Sequence, residues 1–132
     1  MKSIKISIPS LIENIKIIES FIDNARDRFH IDDDIYGNIM ISVTECVSNA
    51  ILHGNESNSS KTVDLELHFE DDQIKFIITD EGKGFDYSEL QDPTEPENLE
   101  KAGGRGIFIM KHLSDDVTFE DEGRKTILTF YM

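Results

Sequence analysis

Glu45-Cys46-Val47-Ser48-Asn49-Ala50-Ile51-Leu52-His53-Gly54 is the stretch on which the reading of this chain turns. On a helix each residue advances by about 100°, so Glu45, Asn49 and His53 form one polar stripe. Ile35, Ile39, Val43, Cys46 and Ala50 fall on the adjoining side, which faces a core. Glu45 and Asn49 are thereby expected at the core's edge, where a cleft can hold them. An Asn carbonyl is a hard oxygen ligand suited to Mg²⁺ shared with phosphate oxygens. A neighbouring carboxylate can accept a proton from, or orient, an attacking hydroxyl or water. Taken alone, the same two residues also fit a solvated helix face.

Working outward, Asp32–Asp34 supply a cap and negative charge for the start of this helix, which is predicted to run to about Leu52. Gly54-Asn55 stops it. Upstream, Ile4, Ile6 and Ile8 alternate through a strand, Ser3–Ile8, ended by Pro9. Ser10 is the expected N-cap of a first helix through about Phe29, with Leu11, Ile15, Ile18, Phe21 and Ile22 at helical spacing. Downstream, Thr62–Phe69 and Ile74–Thr79 read as a hairpin around Glu70-Asp71-Asp72. A short helix is expected over Ile107–Leu113. A second hairpin, Val117–Glu120 with Thr126–Tyr131, closes the chain around Asp121–Arg124. This order predicts an α+β domain with helices segregated on one face of a largely antiparallel sheet.

Two further motifs carry chemistry. Asp80-Glu81-Gly82-Lys83-Gly84 follows directly on a strand. An Asp there can accept a hydrogen bond from an exocyclic amine such as that of adenine, and Gly82 and Gly84 allow positive φ and close approach of backbone to a flat ring. Gly103-Gly104-Arg105-Gly106-Ile107 runs into a helix. Glycine amides opening a helix make an anion-binding concavity, with the Arg105 charge nearby. Neither is a Walker loop or a dinucleotide fingerprint, and each has a plain reading as a turn. Between them the chain is rich in glycine, acid and proline, a loop of the length that usually serves function or is disordered.

The bulk numbers set bounds. With 132 residues and 38% hydrophobic content, one ordinary core is expected. A formal net charge of −14 argues against a nucleic-acid backbone as partner. No continuous apolar run suggests a membrane span, and Met1–Ile6 does not read as a signal peptide, so a cytoplasmic location is expected. The single cysteine, Cys46, suits a reducing compartment and reads as a small core residue. His30, His53, His68 and His112 lack zinc-ligand spacing.

The joint order of acid-x-x-x-Asn on a helix, D-x-G-x-G after a strand, a polar loop and a glycine-rich helix start resembles the Bergerat ATP-binding fold, also called GHKL. That group includes gyrase, the heat-shock chaperone ATPase, histidine kinases and mismatch-repair ATPases. The resemblance covers nearly the whole chain. Glu45–Gly54 and Gly103–Met110 look most like the anti-sigma-factor serine kinases of bacterial partner-switching systems. The resemblance implies a two-layer α/β sandwich, with helices on one face of a mostly antiparallel mixed sheet, as a single domain over residues 1–132. Glu45 then matches the catalytic carboxylate and Asn49 the Mg²⁺ ligand. Asp80 matches the adenine-reading acid, with Gly82 and Gly84 beneath the base and Thr126 near it. Gly104, Arg105, Gly106 and Ile107 match the phosphate-side turn, and His53 a position beside the nucleotide. Residues Asp86–Ala102 match the ATP lid.

Also implied are ATP and Mg²⁺, an anti-anti-sigma-like protein substrate, a sigma factor as further partner, and a homodimer. A nucleotide-responsive binding module with little phosphoryl transfer is the alternative function. A histidine kinase is disfavoured by the lack of a helical hairpin carrying a phospho-acceptor histidine. A gyrase-like ATPase is disfavoured by the lack of a transducer domain.

Overall fold

A computed structural model describes residues 2–84 and 104–132, with residues 104–106 described by backbone alone. The predicted lid, Asp86–Ala102, and Gly103 lie outside the described residues.

Strand β1 (Lys2–Pro9) pairs antiparallel with β2 (Thr62–Phe69), and Ile4, Ile6 and Ile8 face Leu67, Leu65 and Val63. Pro9 closes β1 on a sheet edge, where its missing N–H costs no ladder bond. The expectation that Ser10 caps the first helix fails. The Ser10 N–H donates to the Lys61 carbonyl at 3.1 Å, which extends the β1–β2 pairing by one residue. Its buried hydroxyl donates to the same carbonyl at 2.8 Å and accepts from Asn55 Nδ2 at 2.8 Å. A 3₁₀ turn, Ile12–Asn14, then leads into α1 (Ile15–Phe29).

Helix α1 ends at His30, whose φ of 53° lies in the left-handed region, and Asp32 opens α2 (Asp33–Asn49). The Asp32 carboxylate accepts from the Asp34 N–H at 3.0 Å, and Asp33 and Asp34 add charge that suits the positive end of the helix dipole. Arg26 pairs with Asp33 and stacks 4.4 Å above the Tyr36 ring, joining the two helices at their loop.

The chain continues through β3 (Gln73–Thr79), α3 (Gly104–Leu113), β4 (Asp116–Glu120) and β5 (Lys125–Tyr131). In the acidic turn between β2 and β3, the Glu70 N–H donates to the Gln73 carbonyl at 2.9 Å. The sheet order is β1-β2-β3-β5-β4, and every ladder among the described strands is antiparallel. Helix α3 starts at Gly104, three residues before the predicted Ile107, so Gly104, Arg105 and Gly106 form its first turn.

The strands alternate as their sequence dictates. Val63, Leu65, Leu67, Ile74, Phe76, Ile78, Leu128 and Phe130 point into one core, where they meet Ile18, Ile22, Ile39, Val43, Val47 and Ile51 from the helices. Helix α2 packs on α1, on α3, and across β3 and β5. The stretch Asp33–Gly54 is long and apolar enough, by length and composition, to cross a membrane. Ile39, Val43, Cys46, Val47 and Ile51 are nevertheless buried in the core, so its hydrophobicity has a structural use inside this domain. Ile39 is fully buried at the middle of that face. Ile39→Ala is expected to cost about 2–5 kcal/mol in urea unfolding, whereas a loss below about 1 kcal/mol would put Ile39 outside the packed core.

Candidate functional site

The end of α2 does not continue as a regular helix. Residues Ala50–Gly54 form a π turn, and the Asn55 N–H reaches back to the Ala50 carbonyl at 2.8 Å. A π turn holds more residues than an α turn, so the angular register of the stripe is lost beyond Asn49. Glu45 and Asn49 are half-buried one turn apart, as expected, but His53 is exposed. Among the described residues, neither the Glu45 nor the Asn49 side chain has a hydrogen-bond or ion-pair partner. A half-buried carboxylate and amide left in this state are well suited to polar ligand atoms.

The widened turn brings Gly54 against Asp80. A Cβ built on Gly54 would fall 2.5 Å from Asp80 Oδ2 and 2.6 Å from its Cγ. The carboxylate therefore lies over the bare Cα. Gly82 makes the reciprocal approach, since a Cβ there would run into the Gly54 carbonyl. Its N–H donates to Asp80 Oδ1 at 2.8 Å. Gly84, at φ 78°, gives room to the Glu122 carbonyl. The glycines of this motif thus make room for the protein's own backbone and carboxylate, a use the sequence reading did not anticipate.

Asp80 ends β3 beside β5, where its N–H donates to the Arg124 carbonyl at 2.9 Å. Burial raises its pKa, opposed by the Gly82 N–H and by the Arg124 charge. A carboxylate has about four lone-pair sites, so the Gly82 bond, its one hydrogen bond among the described residues, leaves it able to accept from a ligand amine. Buried Thr126 stands opposite Ile78 and beside Cys46, whose thiol also senses the Asp80 charge. Burial pushes the Cys46 pKa up to about 12, so it remains a protonated packing group with no nucleophilic role at neutral pH.

Two side chains fix this loop that sequence reading had treated as a helix stop and a turn. Asn55 Oδ1 accepts from the Glu81 N–H at 2.8 Å. On the other side, Arg124 Nη1 donates to the Lys83 carbonyl at 3.0 Å while its guanidinium pairs with Asp121 and Glu122. An Asn after a helix-ending Gly carries no local signal of such a role, because its partner lies 26 residues away.

The structure therefore gathers Asp80, Gly82 and Gly54 just beyond the C-terminal end of α2, with Cys46 and Thr126 nearby and Glu45 and Asn49 on the last turns of the helix. Helix α3, whose first turn is Gly104-Arg105-Gly106, packs against α2. Ile107 is half-buried against the core.

The profile of the histidine kinase-like ATPase domain matches residues 8–132. The chain belongs to that family. A serine-protein kinase, RsbW of Staphylococcus epidermidis, is 33% identical to it over 94% of this chain and 82% of that protein. RsbW of Staphylococcus aureus strain JH9 is 30% identical over the same shares. The family assignment and the antiparallel sheet under three described helices agree with the expected α+β sandwich.

Because the folded state holds the Asp80 proton more tightly than the unfolded chain, ionising Asp80 costs stability, and that cost is complete above its folded-state pKa. Asp80→Asn is therefore expected to keep or raise Tm at neutral pH while weakening ATP binding by about tenfold or more. A folded Asp80→Asn protein with wild-type ATP affinity would remove Asp80 from base recognition.

Proposed function

We propose that this domain, over residues 1–132 with a lid at about 86–102, is a Mg²⁺-ATP-dependent protein serine/threonine kinase of the anti-sigma-factor type. The observation that carries the reading is the half-buried pair Glu45 and Asn49, without a side-chain partner among the described residues, on the helix whose following π turn meets Asp80, in a chain with serine-protein kinase relatives. Asp80 accepts the adenine amine, with Thr126 beside it and Gly82 and Gly84 shaping the wall. Gly104, Arg105, Gly106 and Ile107 serve the phosphate side through the first turn of α3, and exposed His53 lies beside the nucleotide.

Asn49 offers a carbonyl oxygen to Mg²⁺, which when bound neutralises charge on the phosphate oxygens. Glu45 orients the incoming serine hydroxyl and takes its proton as the new O–P bond forms and the bond to ADP breaks. Most of the rate gain comes from positioning and charge neutralisation, because phosphoryl transfer asks little covalent chemistry of the protein.

The substrate is a small anti-anti-sigma-like protein, and a sigma factor is a second partner, so that phosphorylation switches which partner is held. The protein works in the cytoplasm as a homodimer, without nucleic acid or membrane. The reading is supported by the serine-protein kinase relatives and by the resemblance of Glu45–Gly54 to the anti-sigma-factor serine kinases.

Glu45→Ala tests the reading. Nucleotide affinity should stay within about threefold of wild type while phosphate transfer to the partner falls by about 10²–10⁴-fold. Transfer retained in that variant would take the catalytic role from Glu45. A wild-type protein that holds its partner only with nucleotide bound, and never phosphorylates it, would favour the binding-module reading.

A further inference from the structure

Asn55 is almost wholly buried, with 1% of its surface exposed, yet its side chain is fully used. Nδ2 donates to Ser10 Oγ at 2.8 Å and to the Thr62 carbonyl at 2.9 Å, and Oδ1 accepts the Glu81 N–H at 2.8 Å. Glu81 completes a ring, since its Oε2 accepts the Thr62 N–H at 2.6 Å. One amide thus joins the end of the π turn, the exit of β1, the start of β2 and the loop that follows Asp80. Glu81 sits between Asp80, whose carboxylate lies over Gly54, and Gly82, whose N–H holds that carboxylate. The N–H that Asn55 fixes therefore belongs to the peptide between Asp80 and Glu81, next along the chain to the Gly82 N–H that holds the Asp80 carboxylate.

We propose that Asn55 is a positioning residue for nucleotide-base discrimination: through the Glu81 N–H it sets the orientation of the Asp80 carboxylate. The inference rests on the assignment of Asp80 as the base-reading acid. A buried amide with every polar group satisfied has one geometry open to it, so it transmits the placement of β1 and β2 to the loop with little slack. Adenine presents an amine to Asp80 where guanine presents a carbonyl oxygen. A carboxylate that is rotated out of place loses the first interaction and so loses the preference.

Asn55→Asp keeps the acceptor and the volume but removes both Nδ2 donors, and Glu81→Gln weakens the Thr62 arm of the ring while leaving the Glu81 N–H in place. Titration with ADP, GDP and inorganic tripolyphosphate, each with Mg²⁺, separates positioning from general damage. Asn55→Asp should bind ADP about tenfold more weakly, with GDP and tripolyphosphate affinities unchanged, so that the ADP-to-GDP ratio collapses. Glu81→Gln should shift the ratio in the same direction by a smaller factor, and it carries the test if Asn55→Asp does not fold. Equal weakening of all three ligands in Asn55→Asp, or an unchanged ratio in both folded variants, overturns the proposal. A wild-type protein with no preference for ADP over GDP overturns the assignment of Asp80, and the inference with it, whatever the variants do.

Discussion

The Asp80 carboxylate lies where a side chain on Gly54 would be, and the Gly54 carbonyl lies where a side chain on Gly82 would be. This mutual approach ties the end of the central helix to the end of a central strand through a carboxylate and backbone. It works only because two bare α-carbons meet, and it puts a carboxylate into a half-buried place that raises its pKa. A group held at such a cost to folding fits the binding role proposed for it. The π turn is part of the same arrangement, since the chain reaches Gly54 through it.

The rest of the fold serves that junction from two layers. Helix α2 carries the apolar residues that bury it over β3 and β5, so its axis is fixed by the core. Its partly exposed edge can then carry Glu45 and Asn49 at defined places. The sheet supplies the other half. Pairing of β3 with β5 sets Ile78 opposite Thr126, which delivers Thr126 to the flank of Asp80, with Cys46 of α2 closing the gap as an inert thiol. Arg124 and Asn55 then hold the Asp80–Gly84 loop from its two sides. Core packing, sheet register and a few buried polar bonds all bear on the same carboxylate.

The fold was largely legible because its signals are periodic. Alternation in Thr62–Phe69, helical spacing along α2 and the acidic cap at Asp32 each depend on neighbours in sequence, and the structure places elements where those signals lie. The layout of the candidate site was legible in part. Glu45 and Asn49 follow from helical geometry, and Asp80 from its position after a strand. His53 breaks from the stripe because the helix widens after Asn49, a change with no local cue. Ser10 was misread because its backbone is claimed by a strand partner 51 residues away. The Gly54, Asn55 and Arg124 contacts escaped for the same reason, being long-range contacts among residues whose types also suit ordinary turns.

On the proposed reading, the Gly54–Asp80–Gly82 junction and the Glu45/Asn49 edge of α2 together form a Mg²⁺-ATP site. Calorimetric titration of the wild-type protein with ATP, with and without Mg²⁺, tests it most directly. Saturable binding of one nucleotide per chain is expected, weakened when Mg²⁺ is removed. No saturable binding at millimolar ATP in the presence of Mg²⁺ would contradict it.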